Sequence, residues 1–377
     1  MKRETIFAFN IVLGLVLIGL LMVYSASAVR NYSTDSVGHP AGIPLLWKQL
    51  IYIGIGMTCL IVMARFDYHH LRNRALLWPL FLVTLAVLVA VLFLGDERRG
   101  GQRWIEILGF TFQPSELAKM TLVIFLAAKL SENQQYIHRF WRGFVPPLLL
   151  TGLVAGLVLL ERDLGTPVVM MAVAMLMIVM AGGRFAHVLP TCLPAAVVVY
   201  KLIEGSGYRS ERIDAWLDPW KYRSDKGLQL IESLAGFARG GFWGQGLGAG
   251  EQKLRYLPDA HSDFIFAVWA EEMGLLGSLS LVALFLLFLI VAVRIAVCAR
   301  DLFGAILASG IVALIGIQAC FNMAVTTGLL PTKGLALPFI SAGGSALIVN
   351  LTLVGILLNI GAQAVELEEA PPLAVAK

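Results

Sequence analysis

The chain has 377 residues, 58% of them hydrophobic and 14% charged, with a mean hydropathy of +0.79. A soluble domain carries roughly a quarter charged residues, so this composition excludes an ordinary water-soluble enzyme and requires a lipid solvent. The net charge of +4 is modest and spread along the chain, with no patch of the kind that binds nucleic acid.

In lipid the backbone must satisfy its own hydrogen bonds, so the expected fold is an all-α polytopic membrane bundle. Lys2 and Arg3 precede an uncharged run, Thr5–Val29, that ends near Ala26-Ser27-Ala28. The run exceeds the roughly 7–15 apolar residues of a cleaved leader and reads as an uncleaved first helix. Further apolar runs follow at Gln49–Ala64, Ala75–Gly95, Pro114–Leu130, Gly143–Leu160, Leu164–Gly183, Phe185–Tyr200 and Met273–Val293. Two longer runs, Leu302–Thr332 and Gly334–Val365, each exceed the roughly 20 residues of one span. Both are therefore expected to include loop backbone near Pro331–Pro338, which brings the total to about ten helices. Lysine and arginine in the short loops are biased to the side of Lys2 and Arg3, so both termini are expected in the cytoplasm.

One long connection, about 201–262, then falls outside the cytoplasm. It is too short for an enzyme domain of ordinary size. Within it Lys226–Arg239 reads as an interfacial helix, with Leu228, Ile231, Leu234, Ala235 and Ala238 on its apolar face. Residues 1–365 read as one transmembrane domain and 366–377 as a short cytoplasmic tail. The cysteines Cys59, Cys192, Cys298 and Cys320 lie in or beside apolar runs without metal-type spacing. The glycine-rich stretch Gly236–Gly250 lacks the GK[ST] ending of a nucleotide-binding loop and is not read as one.

Polar groups inside a membrane carry a large desolvation cost and call for a functional or pairing reason. Three clusters stand out. In Trp104–Lys119, Pro114 fits a helix start, and Glu116 and Lys119 share a face three residues apart. That pair reads either as a self-neutralising ion pair or as a cation presented to phosphate. In Glu251–Gly274, Asp263 sits where a polar loop meets an apolar helix, among Lys253, Arg255, Asp259 and His261. It reads either as a helix cap or as a partly desolvated general base. At roughly 100° per residue, Glu271 lies about 80° and Glu272 about 180° round the helix from Asp263, so one glutamate is expected to serve packing. In Gly328–Ser345, two prolines and four glycines around Lys333 exclude a straight helix. Such backbone at membrane depth lines a cavity or is covered by protein.

Together these segments resemble the SEDS (shape, elongation, division, sporulation) family over almost the whole chain. The resemblance rests on VYSASA at Val23–Ala28, QRWI and QPSELAK within Gln102–Lys119, DLGT at Asp163–Thr166 and LDPW at Leu217–Trp220. It continues through Gly244–Gly274 and Gly328–Ser345, and PTKG at Pro331–Gly334 resembles the cell-division (FtsW-type) branch ahead of the elongation (RodA-type) and sporulation branches. The chain departs from the family at Leu228-Gln229, Glu232-Ser233 and Ala342.

The resemblance implies a peptidoglycan glycosyltransferase that polymerises lipid II outside the bacterial cytoplasmic membrane at the division septum. Asp263 would be its general base. A substrate site is implied along the matched motifs, at Arg103, Gln113, Glu116, Lys119, Asp163, Lys253, Arg255, His261, Glu271, Glu272, Lys333 and Ser341. Some of Lys119, Arg103, Arg255 and Lys333 would meet the pyrophosphate, a role that a divalent cation (Mg or Mn) could share. A class B penicillin-binding transpeptidase and other divisome membrane proteins are the implied partners. A lipid II flippase is the alternative reading, but charges gathered at one face and the absence of paired halves favour the transferase.

Overall fold

The computed structural model describes residues 2–28, 43–98, 101–107, 110–205, 207–223, 227–252 and 261–364. Three helices open the chain: α1 (Lys2–Ala28), α2 (Ile43–Arg65) and α3 (Arg74–Leu94). A small antiparallel sheet follows, in the order β1 (Asp96–Arg98), β2 (Gly101–Ile107), β3 (Phe110–Phe112). Next come α4 (Pro114–Glu132), α5 (Val145–Leu160), α6 (Gly165–Met180) and α7 (Phe185–Glu204). The long connection holds two shorter helices, α8 (Gly207–Leu217) and α9 (Leu228–Gly240). The chain closes with α10 (Ile265–Val297), α11 (Leu302–Thr326) and α12 (Gly344–Gln363).

Among the described residues, seven of these helices are long and apolar enough to cross a membrane: α1, α2, α3, α5 with its preceding turn, α10, α11 and α12. With α4, α6 and α7 they make up the expected set of about ten. α4 falls short on composition because it carries Glu116, Lys119, Lys129 and Glu132, yet it is buried along most of its length. It is a central helix, wrapped by protein rather than lipid.

The two overlong apolar runs resolve as expected. α11 ends at Thr326, irregular backbone occupies 327–343, and α12 starts at Gly344. The strands were not foreseen: β1 and β3 have only 3 residues each, and β2, GQRWIEI, sets Trp104 beside Ile105 and so breaks the alternation that marks a strand. α10 starts eight residues before the apolar run beginning at Met273 and kinks at Gly274, where φ is 67°. Only glycine adopts that backbone readily.

The kink explains the glycine-rich stretch. It frees backbone groups of α10, and the chain at 241–246 lies alongside to pair with them. Gln245 N–H donates to Glu271 O (3.0 Å) and Gly246 N–H to Glu272 O (2.9 Å), while Leu275 N–H donates back to Gly241 O (2.9 Å). A Cβ on Gly274 would collide with the Gly244 backbone. The segment that superficially resembles a phosphate loop is thus a brace for a broken helix.

α9 forms where the interfacial helix is expected, and it packs on the protein through its small residues. Its buried residues are Leu230, Ser233, Gly236 and Gly240, while Leu234 is 42% exposed. Small residues win this face because α9 lies backbone to backbone on α10: a Cβ on Gly236 would stand 3.3 Å from Ala267 O, and one on Gly240 would overlap Ala270 O.

α2 and α12 pack as closely. A Cβ on Gly355 would stand 2.5 Å from Leu60 O, and one on Gly56 2.6 Å from Leu351 Cδ1. With no hydrophobic effect between helices in lipid, such contacts supply the packing energy. On the face away from Asp263, Tyr68 N–H donates to Asn359 Oδ1 (3.0 Å) and Tyr68 Oη donates to Asp301, which caps α11. Gly355→Leu should therefore destabilise the bundle by about 1–3 kcal/mol or more, read as a lower thermal midpoint in detergent. Gly14→Leu, where nothing lies within 4 Å of the added carbon, should leave it unchanged. Equal midpoints for both variants would remove the α2–α12 contact as a source of stability.

Candidate active site

The irregular backbone between α11 and α12 has to find hydrogen-bond partners wherever it is buried in the bundle. They come from four directions. Asn322, buried in α11, donates from Nδ2 to Leu335 O (2.7 Å) and to Asp263 O (2.9 Å). Ser341 Oγ donates to Ser262 O (2.6 Å) and accepts from Leu337 N–H (2.8 Å), and Ala342 N–H donates to His261 O (3.0 Å). From the long connection, Trp216 Nε1–H donates to Gly328 O (2.8 Å), Arg212 to Thr332 O (3.3 Å), and Ser233 Oγ to Thr326 O (2.7 Å). The loop is thereby stitched to the start of α10 on one side and roofed by α8 and α9 on the other.

This stitching sets Asp263 over Gly334. A Cβ on Gly334 would stand only 2.8 Å from Asp263 Oδ2, so the carboxylate occupies the space that glycine leaves open. Next in sequence, Lys333 runs along the start of α6: its Cδ is 3.5 Å and Asp163 Oδ1 3.6 Å from where a Cβ on Gly165 would sit. Asp163 itself caps α6, accepting from Gly165 N–H (2.9 Å) and Thr166 Oγ1–H (2.7 Å). Asp263, Lys333 and Asp163 thus share one rim, drawn from three elements far apart in sequence.

β2 reaches the same rim through Arg103. Its guanidinium donates to the carbonyls of Glu161 (3.2 Å) and Arg162 (2.6 Å), which holds the α5–α6 turn. Arg162 in that turn has φ 63°, a left-handed conformation that costs a non-glycine residue on the order of 1–3 kcal/mol. Gln113 N–H donates to Ser345 Oγ (3.3 Å), joining the start of α4 to that of α12. Lys119 and Glu116 form an ion pair at 2.8 Å whose side chains are 2% and 8% exposed. A pair this deeply buried braces α4, because separating it would leave a bare charge in the bundle.

Both glutamates of α10 have structural partners. Glu271 accepts from the N–H groups of Glu251 and Gln252 (both 3.0 Å), holding the end of the glycine-rich segment. Glu272 points to α1 and accepts from Ser25 Oγ (2.6 Å). Lys253, Arg255 and Asp259 lie outside the described residues. Among the described residues no three His, Cys, Asp or Glu side chains converge as a ligand set, so none is assigned to a divalent cation.

Sequence reasoning missed Asn322, Arg212, Trp216 and Glu161. Asn322 left a usable signal, an amide within an otherwise apolar run. Glu161, just past the end of α5, is 1% exposed, and neither of its carboxyl oxygens has a hydrogen-bond partner. Burial first, and the Asp163 carboxylate second, push its carboxyl from the ordinary 4.5 up to about 8.

A carboxyl raised in the folded state binds its proton more tightly there than in the unfolded chain. Stability therefore falls as pH rises from about 4.5 to about 8 and levels off above that window. Glu161→Gln should flatten this slope and raise the thermal midpoint at pH 8 relative to the parent. A parent slope that survives the substitution would show that another group titrates.

Comparison with known proteins places this arrangement. Residues 6–366 match the FtsW/RodA/SpoVE family model, described as cell cycle protein. A probable peptidoglycan glycosyltransferase FtsW from Geobacter sp. (strain M18) is 44% identical over 344 residues, 91% of this chain and 92% of that one. Stage V sporulation protein E of Bacillus subtilis (strain 168) is 40% identical over 351 residues, 93% of this chain and 94% of that one. Among solved structures, the fold is similar to a chain in a peptidoglycan synthase complex that coordinates polymerisation and crosslinking, with TM-score 0.73, 28% identity and coverage of 93% and 97%. It is also similar to the rod-shape-determining protein RodA of Thermus thermophilus, with TM-score 0.68, 27% identity and coverage of 95% and 97%.

Proposed function

The chain belongs to the FtsW/RodA/SpoVE family, and from that premise we propose that it is a peptidoglycan glycosyltransferase of the cell-division branch, polymerising lipid II at the outer face of the bacterial cytoplasmic membrane with Asp263 as general base. The observation that carries this reading is the placement of the Asp263 carboxylate over Gly334, next to Lys333.

The chemistry needs that pairing. The acceptor is a sugar hydroxyl, a poor nucleophile until a base takes its proton. Asp263 takes it, and the oxygen attacks the anomeric carbon of the donor. The electron pair of the breaking carbon–oxygen bond leaves with the lipid diphosphate. A single in-line displacement inverts that carbon and needs no covalent enzyme intermediate. Positive charge must meet the departing diphosphate. Lys333 is the described cation best placed for it, and the starts of α4, α6, α10 and α12 face the same rim with their positive dipole ends. Arg103 acts one step back by fixing the α5–α6 turn, and Lys119 by bracing α4.

The lipid tail of the substrate requires a site at the membrane surface rather than in a soluble domain. The similar chain from a complex that coordinates polymerisation and crosslinking supports a class B penicillin-binding transpeptidase as partner.

Asp263→Asn should lower glycan polymer formation from labelled lipid II by about 10²–10⁴-fold, with the purified variant folded and membrane-inserted. Full polymer yield would remove Asp263 as base. Gly334→Ala tests the geometry without touching a charge. Its added carbon would crowd Asp263 Oδ2 at 2.8 Å, and kcat should fall at least tenfold while the thermal midpoint changes little.

A further inference from the structure

The face of the bundle away from the Asp263 rim carries a second built surface. α4 and α6 both start at the rim, and they end one helix length away. There the chain from Asn133 to Phe144 makes a 3₁₀ turn, Gln134–Tyr136, and a π turn, Phe140–Phe144, before α5 begins. π turns are rare and concentrate at functional sites. The α6–α7 turn packs against this segment. A Cβ on Gly182 would stand 3.8 Å from Gln134 Nε2, and the His187 ring lies 5.4 Å from Phe140 and 5.9 Å from Phe144. The two loops form one surface.

That surface is basic and aromatic. Arg139 and Arg142 are exposed, and their guanidiniums lie 5.7 and 5.6 Å from the ring of Tyr136, which gathers both around one aromatic side chain. Arg184 is exposed in the adjoining turn. No Asp or Glu occurs from Asn133 to Leu160 or from Leu164 to Ile203. Glu132, the acid immediately before this segment, is engaged by Lys129 at 3.2 Å and Arg74 at 3.5 Å. Around the arginines, Trp141 is 77% exposed and Phe185 71%. They border the apolar flank of the bundle, where Leu189 and Leu149 are 76% and 67% exposed.

We propose that the α4–α5 connection and the start of α7 form a binding site for the headgroup phosphate of an anionic glycerophospholipid, in the leaflet opposite the Asp263 rim. Guanidiniums suit phosphate oxygens because they donate in a planar fork. The aromatic neighbours decide between a lipid and a soluble anion. Trp and Phe at the membrane boundary are covered by the glycerol and upper acyl region of a lipid, whereas a free phosphate ester would leave them exposed. This inference is independent of the proposed catalysis.

The test uses the full chain in phosphatidylcholine vesicles that contain either brominated phosphatidylglycerol or the same fraction of brominated phosphatidylcholine. Tryptophan quenching is read, and a Trp141→Phe variant isolates the Trp141 signal. Brominated phosphatidylglycerol should quench Trp141 well beyond brominated phosphatidylcholine. Combined Arg139→Gln, Arg142→Gln and Arg184→Gln substitutions should reduce that preference by about tenfold or more, as should raised salt. Arg142→Gln alone, on an exposed side chain, gives a partial loss and covers the case in which the triple variant does not fold. Equal quenching by the two lipids, or a preference untouched by the arginine substitutions, would overturn the proposal.

Discussion

The structure depends on the way a stretch of non-helical chain is kept satisfied inside a membrane bundle. Residues 327–343 have no helix to pair their backbone, and a buried backbone group left unpaired costs several kcal/mol. Asn322 answers this most economically. One buried amide donates to carbonyls on two different elements, Leu335 in the loop and Asp263 at the start of α10. Ser341 repeats the device from the loop's own side by bonding Ser262. The groups that satisfy the loop are the same ones that position Asp263, so packing and the proposed site share their hydrogen bonds.

From that constraint the rest of the rim follows. Once the loop is anchored, Gly334 has to be glycine because Asp263 lies across it, and Lys333 is carried to the start of α6. α8 and α9 close the outer side by bonding Gly328, Thr332 and Thr326. Their own position depends on the kink at Gly274, which lets the glycine-rich segment brace α10. A helix broken beside a membrane site exposes backbone that something else must pair with, and here the long connection supplies it.

Much of this was legible from sequence. Runs of about 20 apolar residues mark helices because hydrocarbon thickness sets their length. Pro114 marked the start of α4, and the prolines at 331 and 338 marked the break between α11 and α12. What stayed hidden depends on contacts between distant segments. α9 turns its small residues inward because its backbone lies on that of α10, and no periodicity of hydrophobic residues reveals such an approach. Helix geometry showed that Glu271 and Glu272 cannot both face the side of Asp263, but not what either one meets. The N–H groups of Glu251 and Gln252 that bond Glu271, and the Ser25 hydroxyl that bonds Glu272, are brought there by tertiary packing. Asn322 was visible as a polar intruder, but its double donation required both elements to be in place.

The central claim is that one carboxylate and one neighbouring lysine, joined by a stitched loop, act on the two ends of a single displacement. A structure of the full chain with a non-reactive lipid-linked disaccharide diphosphate bound tests this most directly. The account predicts that the sugar lies against Asp263, close enough for a hydroxyl to hydrogen-bond its carboxylate, with the diphosphate within ion-pair reach of Lys333. A sugar seated away from Asp263, or a diphosphate held on another face of the bundle, would contradict it.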